Sequence, residues 1–149
     1  MRWLITAAAA LVLSLPVAVP LPALAQSSTI DEVMTVCTDV INLQYEDDHS
    51  RDGQCIKAVA DFLGVIGAPS AEADPQITEL ILKLVELYRD DPDCKIAETE
   101  LPEAISTAAG KVLDADVKAE YILIGQQIDS CDFSPTSAIN PIPEPASNS

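Results

Sequence analysis

Apolar residues recur at helical spacing through most of the chain between Ser28 and Cys131. No segment shows the sustained alternation of apolar and polar residues that marks a half-buried strand. The clearest start signal is Thr29 followed three residues later by Glu32, the pattern of a capping box. An apolar stripe follows it, so the first helix is predicted to run to about Tyr45.

A second helix is predicted after an acidic loop, with Asp52 as its N-cap. We expect it to end near Gly64 or Gly67, since glycine is common just past a helix end. Its buried stripe is predicted to consist of Ile56, Val59, Ala60 and Leu63.

A third helix is predicted from Asp74-Pro75, with the aspartate as N-cap and the proline at the first helical position. Its run from Ile77 to Tyr88 carries apolar residues over an unusually wide stripe. We interpret it as the central helix, contacted on more than one side, and the alternative is an exposed docking face. Pro92 disfavours continuation of the helix into the acidic segment around it.

A fourth helix is predicted from Pro102, and its inner face is expected to contain Ile105, Ala108, Ala109, Val112 and Leu113. The stripe shifts near Asp114 to Asp116, which indicates a kink or a tight break before a last helix that ends near Cys131. The prediction is an all-α bundle of four to five helices within residues 26–131. Residues 132–149 are proline-rich and are predicted to form a disordered or extended tail.

The first 25 residues have the pattern of a secretory signal peptide: Arg2, an apolar run from Trp3 to Leu15, and the triplet Ala23-Leu24-Ala25. Cleavage is expected before Gln26. The alternative, an uncleaved anchor, is disfavoured because the run is shorter than the roughly 20 residues of a membrane span. We therefore expect a periplasmic or secreted protein without membrane insertion after cleavage.

Four cysteines follow the leader, Cys37, Cys55, Cys94 and Cys131. An even number in an exported chain favours two disulfides. Zinc is the alternative, but its structural sites usually pair ligands two to four residues apart, and these cysteines are far more widely spaced. Three pairings are possible, and the helix layout favours Cys37 with Cys55 and Cys94 with Cys131, each clamping an antiparallel pair.

The chain has 24 acidic and eight basic residues, a net charge of −16. Such a chain repels nucleic acid and anionic lipid, whose binding depends on clustered lysine and arginine. We therefore expect neither as a partner. Oligomeric state is left open by the sequence.

The loop EDDHSRDGQC, residues 46–55, partly matches a calcium-binding loop. Asp48, Ser50, Asp52 and Gly53 fit its first half. Position twelve, which should be a bidentate glutamate, is Val59, so strong calcium binding is not expected. His49 is interpreted as a solvated loop residue, because no partner nucleophile accompanies it.

The aspartates at 90, 91 and 93 and at 114 and 116 are assigned to helix ends. No phosphate loop, nucleophile elbow or C-x-x-C motif occurs, so neither an enzyme nor a cofactor is expected. The predicted function is binding of a protein partner or an apolar ligand through an apolar helix face. The alternatives are weak binding of divalent cations, or an acid-stress chaperone similar to small helical periplasmic ones in size, compartment and disulfide use but without a matching motif.

Overall fold

The computed structural model describes residues 29–134, and within them five α-helices and one 3₁₀ helix form a bundle without strands. The predicted all-α class is therefore confirmed. Within the same residues no helix has the length and apolar content needed to cross a bilayer. The predicted leader lies outside the described part. The helices are α1 (Ile30–Tyr45), α2 (Gln54–Ile66), α3 (Asp74–Val85), the 3₁₀ helix (Lys95–Glu98), α4 (Leu101–Ala109) and α5 (Ala115–Asp129).

The first helix begins as predicted. The Thr29 Oγ1 accepts a hydrogen bond from the Glu32 N–H at 3.3 Å, and the Glu32 carboxylate accepts one from the Thr29 N–H at 3.1 Å. These reciprocal bonds satisfy N–H groups that the helix itself leaves free. The helix buries a stripe made of Val33, Cys37, Val40, Ile41 and Gln44.

Two predicted N-caps are wrong. Gly53, with φ of 82°, takes the N-cap position of α2 instead of Asp52, and it has no side chain to supply a capping bond. Ala73 precedes α3, and Asp74 is the first helical residue. The Asp74 carboxylate is directed to another element, because it accepts the Leu113 N–H at 2.9 Å.

The central helix is α4, not α3 as predicted. It packs against α2, α3 and α5, whereas α3 contacts α4 and α1. Its inward residues, Leu101, Ala104, Ile105, Ala108 and Ala109, have no accessible surface. The wide stripe of α3 is only partly buried, since Leu82 is 45% exposed and the helix ends at Val85, before Tyr88.

A tight break separates α4 from α5, as predicted. Val112 is buried in the turn, but Leu113 is 55% exposed, so its predicted place on the inner face is wrong. Asp114 is the N-cap of α5 and accepts hydrogen bonds from the N–H groups of Asp116 at 2.9 Å and Val117 at 3.1 Å. This cap starts the new helix immediately after the turn.

The packed part of the chain extends past α5. Phe133, which the sequence placed in the tail, is buried, and its ring meets that of Tyr88 edge-on at 4.6 Å between centroids. The Tyr88 hydroxyl also donates to the Phe133 carbonyl oxygen at 3.3 Å. Burial of the Phe133 ring therefore anchors the chain segment that follows α5. The remaining predicted tail, residues 135–149, lies outside the described part.

Both favoured disulfides are present, and the described residues contain no free cysteine. Cys37 and Cys55 join α1 to α2 with 4.4 Å between their Cα atoms. Cys94 and Cys131 join the start of the 3₁₀ helix to the end of α5 at 6.0 Å. Closing loops of 18 and 37 residues stabilises a fold by about 3 and about 4 kcal/mol in a chain-entropy treatment.

Gly125 of α5 lies where the backbones of α4 and α5 approach closely. A Cβ added there would meet the Ser106 Oγ at 2.6 Å and the Pro102 carbonyl oxygen at 3.0 Å. We therefore expect Gly125→Ala to lower the free energy of unfolding by about 1–3 kcal/mol, because backbone would have to move to admit the methyl group.

The matched control is Gly64→Ala, since nothing lies within 4 Å of a Cβ at that helical position. This substitution should raise stability by about 0.5–1 kcal/mol through helix propensity. Urea unfolding followed by circular dichroism measures both. Equal effects of the two substitutions would contradict the close approach at Gly125.

Candidate functional site

The first residues of the acidic loop, residues 46–55, form the C-terminal end of α1. The Asp47 N–H donates to the Gln44 carbonyl oxygen at 3.0 Å, and the Asp48 N–H donates to that of Leu43 at 2.8 Å. Asp47 has a φ of 63°, in the left-handed region. These two bonds and the left-handed residue form a Schellman motif, in which Asp47 takes the place usually held by glycine.

Within the loop, the polar side chains bond mainly to one another and to nearby backbone. The Asp48 carboxylate accepts the Ser50 N–H at 2.9 Å, and this hydrogen bond holds the pKa of Asp48 below its ordinary value. The His49 Nδ1 lies 3.3 Å from the Asp52 carboxylate, and both side chains are more than half exposed. The structure therefore places His49 in a solvated pair with a carboxylate.

The partial calcium-binding pattern of the loop fails at position twelve, as the sequence indicated. Val59, at the position of the bidentate glutamate, is fully buried, and Ile56 before it is half-buried. Across residues 29–134, no group of three or more His, Cys, Asp or Glu side chains is arranged to hold a metal ion. The carboxylate oxygens of Asp48 and Asp52 accept hydrogen bonds from the protein itself.

The principal contact at the end of this loop comes from Glu100, the residue before α4. Its carboxylate accepts hydrogen bonds from the N–H groups of Gly53 and, at 3.1 Å, of Ile56. The glutamate is only 8% exposed. A carboxylate distant in sequence thus caps α2, satisfying free N–H groups and facing the positive end of the helix dipole.

Gln44 completes this buried polar cluster. Its amide nitrogen donates to the Glu100 carboxylate at 3.1 Å and to the Asp52 carboxylate at 2.7 Å, and its amide oxygen accepts the Glu100 N–H at 2.9 Å. The cluster joins the end of α1, the start of α2 and the start of α4. Its bonding groups are used internally, which gives it a structural role.

Sequence reasoning missed this cluster. One signal was available: Gln44 is a polar residue on the apolar stripe of the first helix, three residues after Ile41. A polar side chain on a buried face needs a hydrogen-bond partner. The partner lies 56 residues away in the chain, so no local pattern could identify it.

The second aspartate segment, residues 90–93, packs beside the first. The Asp91 carboxylate accepts the N–H groups of Asp93 at 3.1 Å and Lys95 at 3.2 Å, forming a local turn. The Lys95 ammonium lies 3.2 Å from the Asp47 carboxylate, which raises the pKa of Lys95. The structure therefore brings the two acidic segments together through an exposed ion pair, while their aspartates shape turns.

The segment also contacts α1 through Arg89. Its guanidinium lies 4.9 Å above the centre of the Tyr45 ring and donates to the Asn42 side-chain oxygen. A cation over an aromatic face is attracted to the electrons of the ring. This contact fixes the chain after α3 to the last turns of α1.

Another concavity lies between the end of α2 and the start of α3, and both apolar and polar side chains line it. We call it the α2–α3 groove; it has a volume of about 310 Å³ and is lined by Phe62, Val65, Ile66, Ser70, Glu72, Ala73 and Gln76. Phe62 and Ala73 form its buried floor, and Val65 on the rim is 60% exposed. The groove can therefore receive apolar atoms beside a single carboxylate.

The connector between α2 and α3 shapes this groove. The chain leaves α2 at Gly67, which has a φ of 89°, and the Gly67 N–H donates to the Leu63 carbonyl oxygen at 3.1 Å. Before α3, the Ser70 Oγ accepts the Ala73 N–H at 3.2 Å. A left-handed glycine and a serine turn thus bring the two helix ends around one concave surface.

The sequence matches no protein-family model, and comparisons with curated proteins and with solved structures found no significant match. The role of the groove has to be inferred from its own chemistry.

The capping role of Glu100 predicts a specific loss of stability. We expect Glu100→Gln to lower the free energy of unfolding by about 1–2 kcal/mol, because a neutral amide accepts the α2 N–H groups more weakly. The control, Glu79→Gln, removes an exposed charge on α3 and should change stability by less than about 0.5 kcal/mol. Chemical denaturation measures both, and an unchanged Glu100 variant would contradict the capping role.

The left-handed backbone at Asp47 supplies a second prediction. Asp47→Gly and Asp47→Ala both remove the ion pair with Lys95, so they differ mainly in backbone preference. We expect the glycine variant to be more stable than the alanine variant by about 1 kcal/mol. Thermal and urea unfolding of the two proteins measure the difference, and an alanine variant as stable as the glycine variant would exclude the motif.

Proposed function

We propose that this protein is an exported, non-enzymatic binding protein that takes a short polypeptide segment into the α2–α3 groove. The segment would carry an apolar anchor side chain between basic residues. The observation that carries the proposal is the presence of Phe62, Val65 and Ile66 in this groove, in a chain of net charge −16.

The shape of the groove favours a side chain of a larger partner over an enclosed small molecule. Its volume of about 310 Å³ is at the lower end of the range for ligand pockets, which enclose most of a bound ligand. Buried apolar anchors contribute most of the affinity in many protein interfaces. A groove with Phe62 and Ala73 at its base and Val65 at its rim suits one such anchor.

Charge selects among the possible segments. The groove has one ionisable lining residue, Glu72, and the chain has three times as many acidic as basic residues. Basic flanks on the partner would be attracted, and acidic flanks repelled, before contact is made. The same single carboxylate supports a non-catalytic role, because acid–base catalysis commonly relies on paired groups with different proton affinities.

Two disulfides and the absence of a membrane-spanning helix among residues 29–134 are compatible with an extracytoplasmic location. Export through the leader at residues 1–25 is part of the proposal. The cation-binding alternative has less support, since the loop carboxylates accept hydrogen bonds from the protein. The acid-stress chaperone alternative stays a prediction without a specific feature in its favour.

Fluorescence anisotropy with three labelled peptides tests the proposal. One has a central leucine flanked by lysines, the second replaces the lysines with glutamates, and the third replaces the leucine with serine. We expect saturable binding of the first alone, weakened by added salt because screening reduces the charge attraction.

Val65→Ser should weaken binding of the lysine-flanked peptide about tenfold, because the lost apolar contact is worth about 1.5 kcal/mol. The matched control is Leu123→Ser, since Leu123 is 50% exposed on α5 and does not line the groove. Equal binding of the lysine and glutamate peptides would overturn the charge selection. An unchanged Val65 variant would overturn the assignment to this groove.

A further inference from the structure

The two disulfides lie in opposite environments. Cys37 and Cys55 are both 0% exposed, within the core between α1 and α2. Cys131 is exposed at the end of α5, and its partner Cys94 is half-buried. Thiol–disulfide exchange requires an attacking thiolate to reach a sulfur atom, so access differs sharply between the two bonds.

The backbone at the exposed bond adds a second difference. Cys94 has a φ of 54° and Cys131 a φ of 63°, both in the left-handed region that residues with a side chain seldom occupy. At Cys131 this conformation closes α5 in a Schellman motif, with the Cys131 N–H donating to Ile128 at 3.2 Å and the Asp132 N–H donating to Gln127 at 2.9 Å. Opening the bond would allow both cysteines to leave a strained conformation.

The two ends of this bond are held unequally by the rest of the protein. On the Cys94 side, Asp91 and Lys95 form a turn, Lys95 pairs with Asp47, and Ile96 is buried. On the Cys131 side, the described chain continues for three residues, of which only Phe133 is buried. Loss of the sulfur link would therefore loosen the Cys131 side more than the Cys94 side.

We propose that Cys94–Cys131 is a reducible clasp that a dithiol can open while the bundle stays folded. One thiolate of the dithiol attacks the Cys131 sulfur, and the Cys94 thiolate leaves. The second thiol of the reagent then displaces Cys131 and closes a cyclic disulfide. The dithiol loses two electrons and two protons, and the two cysteines gain them as thiols. Cys37–Cys55 remains oxidised and keeps α1 joined to α2.

Opening the clasp weakens the attachment of the chain that follows α5. Contacts that would still hold this segment include the ring contact between Phe133 and Tyr88, the hydrogen bond from the Tyr88 hydroxyl, and the bond from the Asp132 N–H to Gln127. Segments with few buried contacts open at low free-energy cost. The redox state of the Cys94–Cys131 bond thus influences how far the Phe133 ring is exposed. This device is independent of the α2–α3 groove, which none of these residues lines.

The test is graded reduction of the folded full-length protein with dithiothreitol, quenching with N-ethylmaleimide, and peptide mass spectrometry. We expect a species labelled at Cys94 and Cys131 alone to accumulate, with its helical circular dichroism retained. Cys94 and Cys131 should be labelled about tenfold faster than Cys37 and Cys55. The buried Cys37–Cys55 bond becomes accessible to the reagent only when a larger part of the structure opens. Equal rates at all four cysteines, or loss of helix with the first bond, would overturn the proposal.

A paired variant provides a second measurement. In Cys94→Ser/Cys131→Ser, amide hydrogen exchange at Asp132 and Phe133 should rise about tenfold or more, while amides of α1 and α2 stay protected. Cys37→Ser/Cys55→Ser is the matched control and should lose protection across α1 and α2. Failure of the first variant to fold cooperatively would overturn the proposal, as would unchanged exchange at Asp132.

Discussion

The nearly buried carboxylate of Glu100 accepts hydrogen bonds from the N–H groups at the partly buried start of α2. Gly53 at the N-cap position has no side chain to do this, and Asp52 is turned toward Gln44. Peptide N–H groups left without a partner in such a place would cost as much as a lost hydrogen bond each. Because Glu100 directly precedes α4 and bonds to Gln44 of α1, the same group sets the relative positions of three helices.

The placement of α4 follows from this contact and from its small side chains. Ala104, Ala108 and Ala109 let neighbouring helices approach, and Gly125 brings α5 close to the backbone of Pro102. A short helix with such a surface can be surrounded on several sides, which a helix covered with leucines cannot do at the same distances. The core is therefore organised around the least bulky helix of the bundle. The disulfides join α1 to α2 and the start of the 3₁₀ helix to the end of α5.

The acidity of the chain has two separate consequences. Many aspartates near helix ends are used locally: Asp91 and Asp114 accept backbone N–H groups, and Asp47 closes α1. The summed charge acts at longer range and favours basic partners. The acidic loop, where the sequence concentrates reactive residue types, therefore has a structural role, whereas the α2–α3 groove combines apolar side chains with one ionisable residue, Glu72. The proposed binding function depends on that distinction.

Local patterns in the sequence determined the all-α class, the capping box at Thr29 and the break at Asp114, because each depends on residues close together in the chain. They favoured the two cysteine pairs without excluding the other pairings. They misplaced the caps of α2 and α3, the central helix and Phe133. Hydrophobic periodicity reports how apolar a helix face is, but not how many neighbours cover it. Only the tertiary structure decided that Glu100 would cap α2 and that α4 would be central, since those outcomes depend on contacts between residues tens of positions apart.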